Sequence, residues 1–432
     1  MSAIAPALTT VRFQGMREAL LVAAARQFNA QGVRGATLGD IAASVGLVTT
    51  SLTDYYRKKE DLATACFLRA IAAYDSLATE AAAAPDVPTR VRCFFDGLAR
   101  WLADIDAGRR PPLMMFSDIR ALPDAQAATV FAAYTDLFRR LRSLLVGPAT
   151  AALDRDDFNA RAHLLLSAAN WLRGTIHHHE ADTYPRVAAQ VADILLHGLA
   201  APGQPGPVDA ATAAVAVDAA DSVDLADGTD RADRATDRAT SAGDDTADAF
   251  LRAATELVNE QGYRGASVDR ISARLNLTKG AFYHHHENKL DLIAACFERS
   301  FAVQRQVLQA AGLAAGSGWA RTSAAAAELV QFQLSPRGPL LRITATSALP
   351  DEAHRAQVLR SLQRLNERFA GLLVDGLVDG SIRPLHPTMA AQLLAANLNA
   401  AAELRRWVPG IQPASVTRCY TRPALLGLLC GV

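Results

Sequence analysis

Residues 31–67 read QGVRGATLGDIAASVGLVTTSLTDYYRKKEDLATACF, and residues 261–297 read QGYRGASVDRISARLNLTKGAFYHHHENKLDLIAACF. A shift of about 230 positions superposes the two without a gap. Gln31, Gly32, Arg34, Gly35, Ala36, Ile41, Ala43, Leu47, Lys59, Asp61, Leu62, Ala65, Cys66 and Phe67 all meet their own residue type. Thr37 meets Ser267, Leu38 meets Val268 and Val45 meets Leu275, which keeps size and polarity. Repetition of this kind implies two copies of one module whose internal spacing tolerates no insertion.

The repeat extends beyond that window. Arg110, Pro112, Leu113 and Ala121-Leu122-Pro123-Asp124 recur as Arg337, Pro339, Leu340 and Ala348-Leu349-Pro350-Asp351. Leu164-Leu165 matches Leu393-Leu394, Asn170 matches Asn399, and Gly198-Leu199 matches Gly427-Leu428. The spacing points to a duplicated unit of roughly 200 residues. Residues 201–245 separate the copies. They are mostly Ala, Asp, Gly, Pro and Thr, with more Asp than Arg, so they predict a disordered acidic linker with no core of its own.

The chain has 432 residues, half of them hydrophobic, with 44 basic and 44 acidic side chains and a formal net charge of zero. It is rich in alanine and has no convincing alternating strand run, which predicts an all-α protein. Zero net charge leaves no global attraction to nucleic acid or membrane, so any such attraction is local. All four lysines, Lys58, Lys59, Lys279 and Lys289, lie inside the repeated windows. Cys66, Cys93, Cys296, Cys419 and Cys430 form no C-x-x-C pair, and no apolar run approaches the ~18 residues of a membrane span. These features predict a cytoplasmic protein with reduced thiols and no membrane partner. No nucleophile elbow, phosphate loop or metal-ligand spacing is present, so no enzyme and no cofactor is expected. In His177-His178-His179 and His284-His285-His286, neighbours on one helix point about 100° apart and cannot converge on one ion.

Within each window the pattern is helical. Residues 16–30 place Ala19, Leu20, Ala23, Ala24, Gln27 and Phe28 on one face, and residues 250–260 repeat this. Thr37 and Ser267 are N-cap residues for a short second helix. Gly46 and Asn276 occupy a turn that needs positive φ. A third short helix follows, and a long fourth begins near Lys59 and Lys289. A short helix, a tight turn and a second short helix make the helix-turn-helix layout, in which the second helix enters the major groove of duplex DNA.

From Gly265-Ala266-Ser267 through Leu277-Thr278-Lys279-Gly280-Ala281-Phe282-Tyr283-His284-His285-His286 to Lys289 and Leu292, the second copy resembles the TetR family of transcriptional regulators. The first copy matches at Thr37, Ile41, Ala42, Gly46, Leu52, Tyr56, Lys59, Glu60 and Leu62, and departs at Thr50, Thr53 and Asp54. The resemblance implies two tandem units. Each has a helix-turn-helix head (12–66 and 246–296) followed by a helical domain (67–200 and 297–432) that dimerises and holds a small-molecule effector. It implies that Lys279, Gly280, Tyr283 and His284 face the groove, with Ser267 and Lys289 on phosphate. In the first head it implies Thr49, Ser51, Thr53 and Tyr55 on the groove, with Thr37 and Lys59 on phosphate. Trp101, Met115, Asn170 and Trp171, and Asn399 and Trp407 in the second copy, are candidate pocket residues. The expected function is a ligand-relieved repressor on a double-stranded operator.

Two heads must sit roughly 34 Å apart to read one duplex face. A flexible tether of the linker's length reaches on the order of 35–40 Å. One chain is therefore expected to act as a pseudo-dimer on an imperfect palindrome, with a homodimer of chains as the other assembly. A rival expectation makes the first head an assembly module and leaves DNA to the second. The first head carries eight cations against five carboxylates between Arg12 and Arg69, a balance that predicts moderate, salt-sensitive binding.

Overall fold

The computed structural model describes residues 4–207, 234–276, 278, 280, 287–349 and 352–431. Helices make up both compact units. One unit comprises Met1–Gly147 and Ala169–Ala192, the other Pro148–Ala168 and Asp193–Val432. Among the described residues the one β pairing outside helices is an antiparallel bridge between Ala200 and Ile382. No helix there is long and apolar enough to cross a membrane.

The first unit opens with α1 (Ile4–Gly35), whose helical path breaks at Gly32, φ 73°. Then come α2 (Leu38–Ser44), α3 (Thr49–Thr53), α4 (Lys59–Ala82), α5 (Val87–Asp106) and α6 (Asp124–Ser143). The chain continues through α7 (Arg155–Thr175) and α8 (Tyr184–His197), and the unit takes the second half of α7 and most of α8. Leu20, Ala24 and Phe28 of α1, Ile41 of α2, Leu52 of α3 and Leu62, Cys66 and Phe67 of α4 form the head's core. Burial pushes the Cys66 thiol up to about 12, which keeps it protonated and unreactive.

The second unit repeats the plan in α9 (Arg234–Gly265), broken at Gly262 with φ 72°, α10 (Val268–Arg274), α11 (Lys289–Leu313), α12 (Gly318–Leu334), α13 (Glu352–Val378) and α14 (Pro387–Ala400). Short helices α15 (Leu404–Trp407) and α16 (Pro413–Val416), a π turn at Thr417–Thr421 and α17 (Arg422–Leu426) close it. Cys296 is buried like Cys66, with its thiol likewise pushed up to about 12.

The predicted linker is corrected at both ends. At its start the Ala201 N–H donates to the Ser381 carbonyl at 3.0 Å, and the Trp319 indole donates to the Pro205 carbonyl at 2.9 Å. At its end the chain is already helical from Arg234, where Arg and Ala favour helix. Residues 208–233 lie outside the described residues. Composition alone could not reveal that Ser381 and Trp319 hold the first turn.

Within the second unit, the ends of the two copies meet almost reciprocally. The Leu199 N–H donates to the Leu425 carbonyl at 2.8 Å, and the Leu428 N–H donates to the Leu195 carbonyl at 2.7 Å. Gly198 and Gly427, equivalent in the repeat, both have positive φ (66° and 97°). A Cβ on Gly198 would lie 2.3 Å from the Leu425 carbonyl oxygen, and one on Gly427 2.3 Å from that of Leu196. Only glycine permits this backbone-to-backbone approach. Around it, Asn159 donates to the Trp407 carbonyl at 2.8 Å, Arg161 donates to the carbonyls of Leu428 and Cys430, and Arg418 pairs with Asp157 at 2.9 Å. Self-complementary contacts between like surfaces are the mark of an isologous interface.

Candidate nucleic-acid interface

In the first head the Thr37 hydroxyl accepts from the Asp40 N–H at 3.1 Å and donates to the Asp40 carboxylate at 2.7 Å, fixing the start of α2. Gly46 turns the chain at φ 73° with open space where a Cβ would stand. Buried Leu52 anchors α3, which leaves Val48, Thr49, Thr50, Thr53 and Asp54 exposed and Ser51 half-buried. A Cβ on Gly39 would be 3.7 Å from both the Thr37 and the Thr49 hydroxyl oxygens, so the two short helices begin side by side. Thr53 donates to the Thr50 carbonyl at 2.6 Å. Tyr55 stacks on Phe13, with ring centroids 4.5 Å apart. Tyr56 is buried, and its hydroxyl accepts from Arg17 at 3.1 Å.

Lys59 differs from its expected place on phosphate. Its ammonium donates to the carbonyls of Arg34 at 3.1 Å and Ala36 at 2.9 Å, at the end of α1. A cation there meets orphan carbonyls and the negative end of the helix dipole. The exposed cations at the front of α4 are Arg57 and Lys58.

In the second head Ser267 accepts from the Arg270 N–H at 3.3 Å, and Asn276 takes the turn at φ 55°. Among the described residues Asn276 is the one non-glycine with positive φ. Thr278 and Gly280 are exposed. The proposed groove residues Lys279, Tyr283 and His284 lie outside the described residues. Lys289 opens α11 behind Asn288, whose carboxamide oxygen accepts from the N–H groups of Leu290 and Asp291 at 2.8 and 3.1 Å.

Two features that join each head to its helical domain were not singled out in the sequence. Asn29 donates to the Leu113 carbonyl at 2.8 Å and accepts from the Met115 N–H at 2.9 Å. Asn259 does the same to the Leu340 carbonyl and the Arg342 N–H, at 2.9 and 3.1 Å. Arg69 joins Glu18 at 2.7 Å and the carbonyls of Leu21 and Pro112, while Arg299 joins Asp248 at 2.6 Å and the Arg337 carbonyl. Each pair is separated by the offset of the repeat, a signal that could have exposed both.

The pocket candidates divide. In the first unit Trp101 is half-buried under the Arg110 guanidinium at 4.0 Å, and its indole N–H has no partner. Met115 lies beside α7, where a Cβ on Gly174 would be 3.8 Å from its methyl group. Asn170 and Trp171 are half-buried on the same helix. In the second unit Asn399 accepts from the Ile343 N–H at 3.1 Å and donates to the Leu341 carbonyl at 3.4 Å. Trp407 is buried, and its carbonyl is engaged by Asn159. Among the described residues no cluster of His, Cys, Asp or Glu could hold a metal ion. The rings of His177 and His178 lie 4.2 Å apart, and partial burial, then the neighbouring His178, lowers the affinity of His177 for a proton.

The family model for bacterial regulatory proteins of the tetR family matches residues 20–66 and again 250–296. The transposon Tn10 TetC protein of Escherichia coli is 43% identical over 54 residues, 12% of this chain and 27% of that relative. The chain thus spans about a quarter of the length of that curated relative. Among solved structures, a TetR-family transcriptional regulator from Bordetella parapertussis 12822 is 20% identical, covering 41% of this chain and 93% of its own, with a TM-score of 0.36. The TetR-family regulator PfmR from Thermus thermophilus is 20% identical over 40% of this chain and 95% of its own, with a TM-score of 0.34. The two domain matches fall on the two heads whose caps and turns are described above, so the chain carries two N-terminal domains of the tetR family of bacterial regulatory proteins in tandem.

Proposed function

We propose that the protein is a sequence-specific, effector-responsive repressor in which one chain supplies both DNA-reading heads. The heads are followed by effector domains over 67–200 and 297–432, and the chain binds an imperfect palindrome as an intramolecular pseudo-dimer. The reciprocal contact of Gly198-Leu199 with Leu425 and of Gly427-Leu428 with Leu195 and Leu196 carries this reading, because it gives one chain the self-complementary surface that a dimer of separate subunits would need. In the first head Thr49, Thr53 and Asp54 face the base edges, with Arg57 and Lys58 toward phosphate. Thr37 and Ser267 fix the helix starts, and Ser51 and Tyr55 flank the reading face. In the second head Lys279, Gly280, Tyr283 and His284 read the groove and Lys289 supports the backbone contact. The two reading faces differ in residue type, so the two half-sites differ in sequence.

Binding stoichiometry tests this. Light scattering of the protein on a footprinted operator fragment is expected to give one 46.0 kDa chain per duplex with two protected half-sites. Two chains per site would overturn the pseudo-dimer. Lys279→Ala and Thr53→Ala are each expected to lose protection at one half-site. Retention of both half-sites in Thr53→Ala, with loss of both in Lys279→Ala, would favour the reading in which the first head only assembles.

A further inference from the structure

The interior of the first unit holds an arginine without a counter-ion. Arg173 lies on α7 next to Gly174, where a Cβ would be 3.8 Å from the Met115 methyl group, and Phe116, the next residue after Met115, lies 5.3 Å from the Tyr74 ring. Burial disfavours the arginine's charge, and among the described residues Tyr74 is the titratable group that acts on it. Among the described residues no carboxylate or carbonyl pairs with it, and the residue as a whole is half-buried. Tyr74, on α4, has no exposed surface, and its hydroxyl has no hydrogen-bond partner. Buried polar groups are nearly always satisfied, and an unpaired buried charge costs several kcal/mol. The Arg173 guanidinium and the Tyr74 hydroxyl, both without a partner, form a pair that an acceptor can complete. Around them stand Phe94 at 6.4 Å and Phe116 at 5.3 Å from the Tyr74 ring, with Tyr134 at 5.1 Å from Phe116.

The second copy has lost this arrangement. By the offset of the repeat, Ala402 stands where Arg173 does and Gln304 where Tyr74 does. Gln304 is satisfied by the Ser300 carbonyl of its own helix at 3.1 Å. Arg342 and Glu403, the equivalents of Met115 and Gly174, form an ion pair there.

We propose that the first unit binds one small anionic effector per chain, a molecule with an apolar body and a carboxylate or phosphate head, with Arg173 and Tyr74 holding the head and the aromatic cluster holding the body. The second unit binds none. This rests on the effector-responsive reading above and supplies its missing chemistry. A fork of guanidinium N–H groups suits either head, since both present paired oxygens.

The test titrates the full chain by calorimetry with octanoate, octyl phosphate and the neutral isostere octanol. At least one anion is expected to saturate at one per chain and to bind about tenfold or more tighter than octanol, the difference separating a charged from a neutral head in such a site. The preferred anion distinguishes carboxylate from phosphate. Arg173→Gln is expected to abolish that preference, Arg173→Lys to restore part of it, and Arg342→Gln in the second copy to leave it unchanged. Equal binding of octanol, two equivalents per chain, an unaffected Arg173→Gln, or no binding of either anion would overturn the proposal. A ligand-free readout accompanies it: Arg173→Met is expected to melt at or above the wild-type temperature, because it removes an unpaired charge, and a fall of more than a few degrees would assign the arginine to structure instead. Operator affinity with and without the anion separates the two readings. A bound anion that leaves operator affinity unchanged removes the effector role and keeps the site, whereas intact operator binding without anion binding removes the site.

Discussion

The two copies agree where a head meets its helical domain and disagree inside that domain. Asn29 and Asn259 make the same two hydrogen bonds, and Arg69 and Arg299 the same ion pair, to Glu18 and to its equivalent Asp248. Inside the helical domain, Arg173 has no counter-ion among the described residues in one copy, and Arg342 pairs with Glu403 in the other. A duplicated chain is free to let one helical domain diverge while keeping the linkage of each head to its own domain. The shared part is mechanical and the divergent part is chemical.

The largest expected effect tests that contact. Gly427→Ala adds a Cβ 2.3 Å from the Leu196 oxygen at a φ of 97°. Denaturant unfolding is expected to give a loss of roughly 3 kcal/mol or more. A loss under about 1 kcal/mol would mean the ends of the copies part easily, and the pseudo-dimer would fall with them. Next is the clamp. Asn259 is 6% exposed, whereas Asn29 is exposed. Asn259→Ala is expected to cost about 2–3 kcal/mol and Asn29→Ala about 1 kcal/mol, because only the buried site leaves its carbonyl and N–H without water. Equal costs would erase that difference between the copies.

A pH effect comes third. His163, in the first half of α7, hydrogen-bonds the Ala400 carbonyl at 2.8 Å, and its protonated form is disfavoured chiefly by burial. The Ala400 carbonyl and Glu403 oppose that shift, while Arg342 and Arg406 add to it. Its folded pKa is therefore below the ordinary 6.5. As pH falls, the unfolded chain takes up the proton first, so the contribution is complete above 6.5 and is lost as pH falls from there toward the folded pKa. The melting temperature is expected to drop between pH 7 and 5. His163→Gln, which installs the residue of the second copy, Gln392, is expected to flatten that drop. An unchanged slope would assign the acid sensitivity elsewhere. The smallest effect is at the turns. Gly46→Ala is expected to lose about 1 kcal/mol and Asn276→Gly to gain up to about 1 kcal/mol, since both positions hold positive φ. Thermal melts of the single variants suffice to measure both.

Much of the head was legible in the chain. The N-caps Thr37 and Ser267, the turn residues Gly46 and Asn276, and the buried Cys66 and Cys296 follow from spacing and residue type over a few positions, and each stands where expected. Lys59 did not. A lysine at a helix start beside DNA-reading residues suggests phosphate, yet its ammonium caps carbonyls 23 and 25 residues earlier. Nor could the isolation of Arg173, or the anchoring of the predicted linker by Ser381 and Trp319, be read in advance. Periodicity, caps and turn chemistry act over one or two helical turns, so the sequence by itself determined the helices, their breaks and the duplication. Which polar group meets which partner depends on separations that only packing brings together, so the replacement of Arg173 by Ala402 in the other copy stood in the sequence, and the tertiary structure alone decided that Arg173 was left without a counter-ion among the described residues.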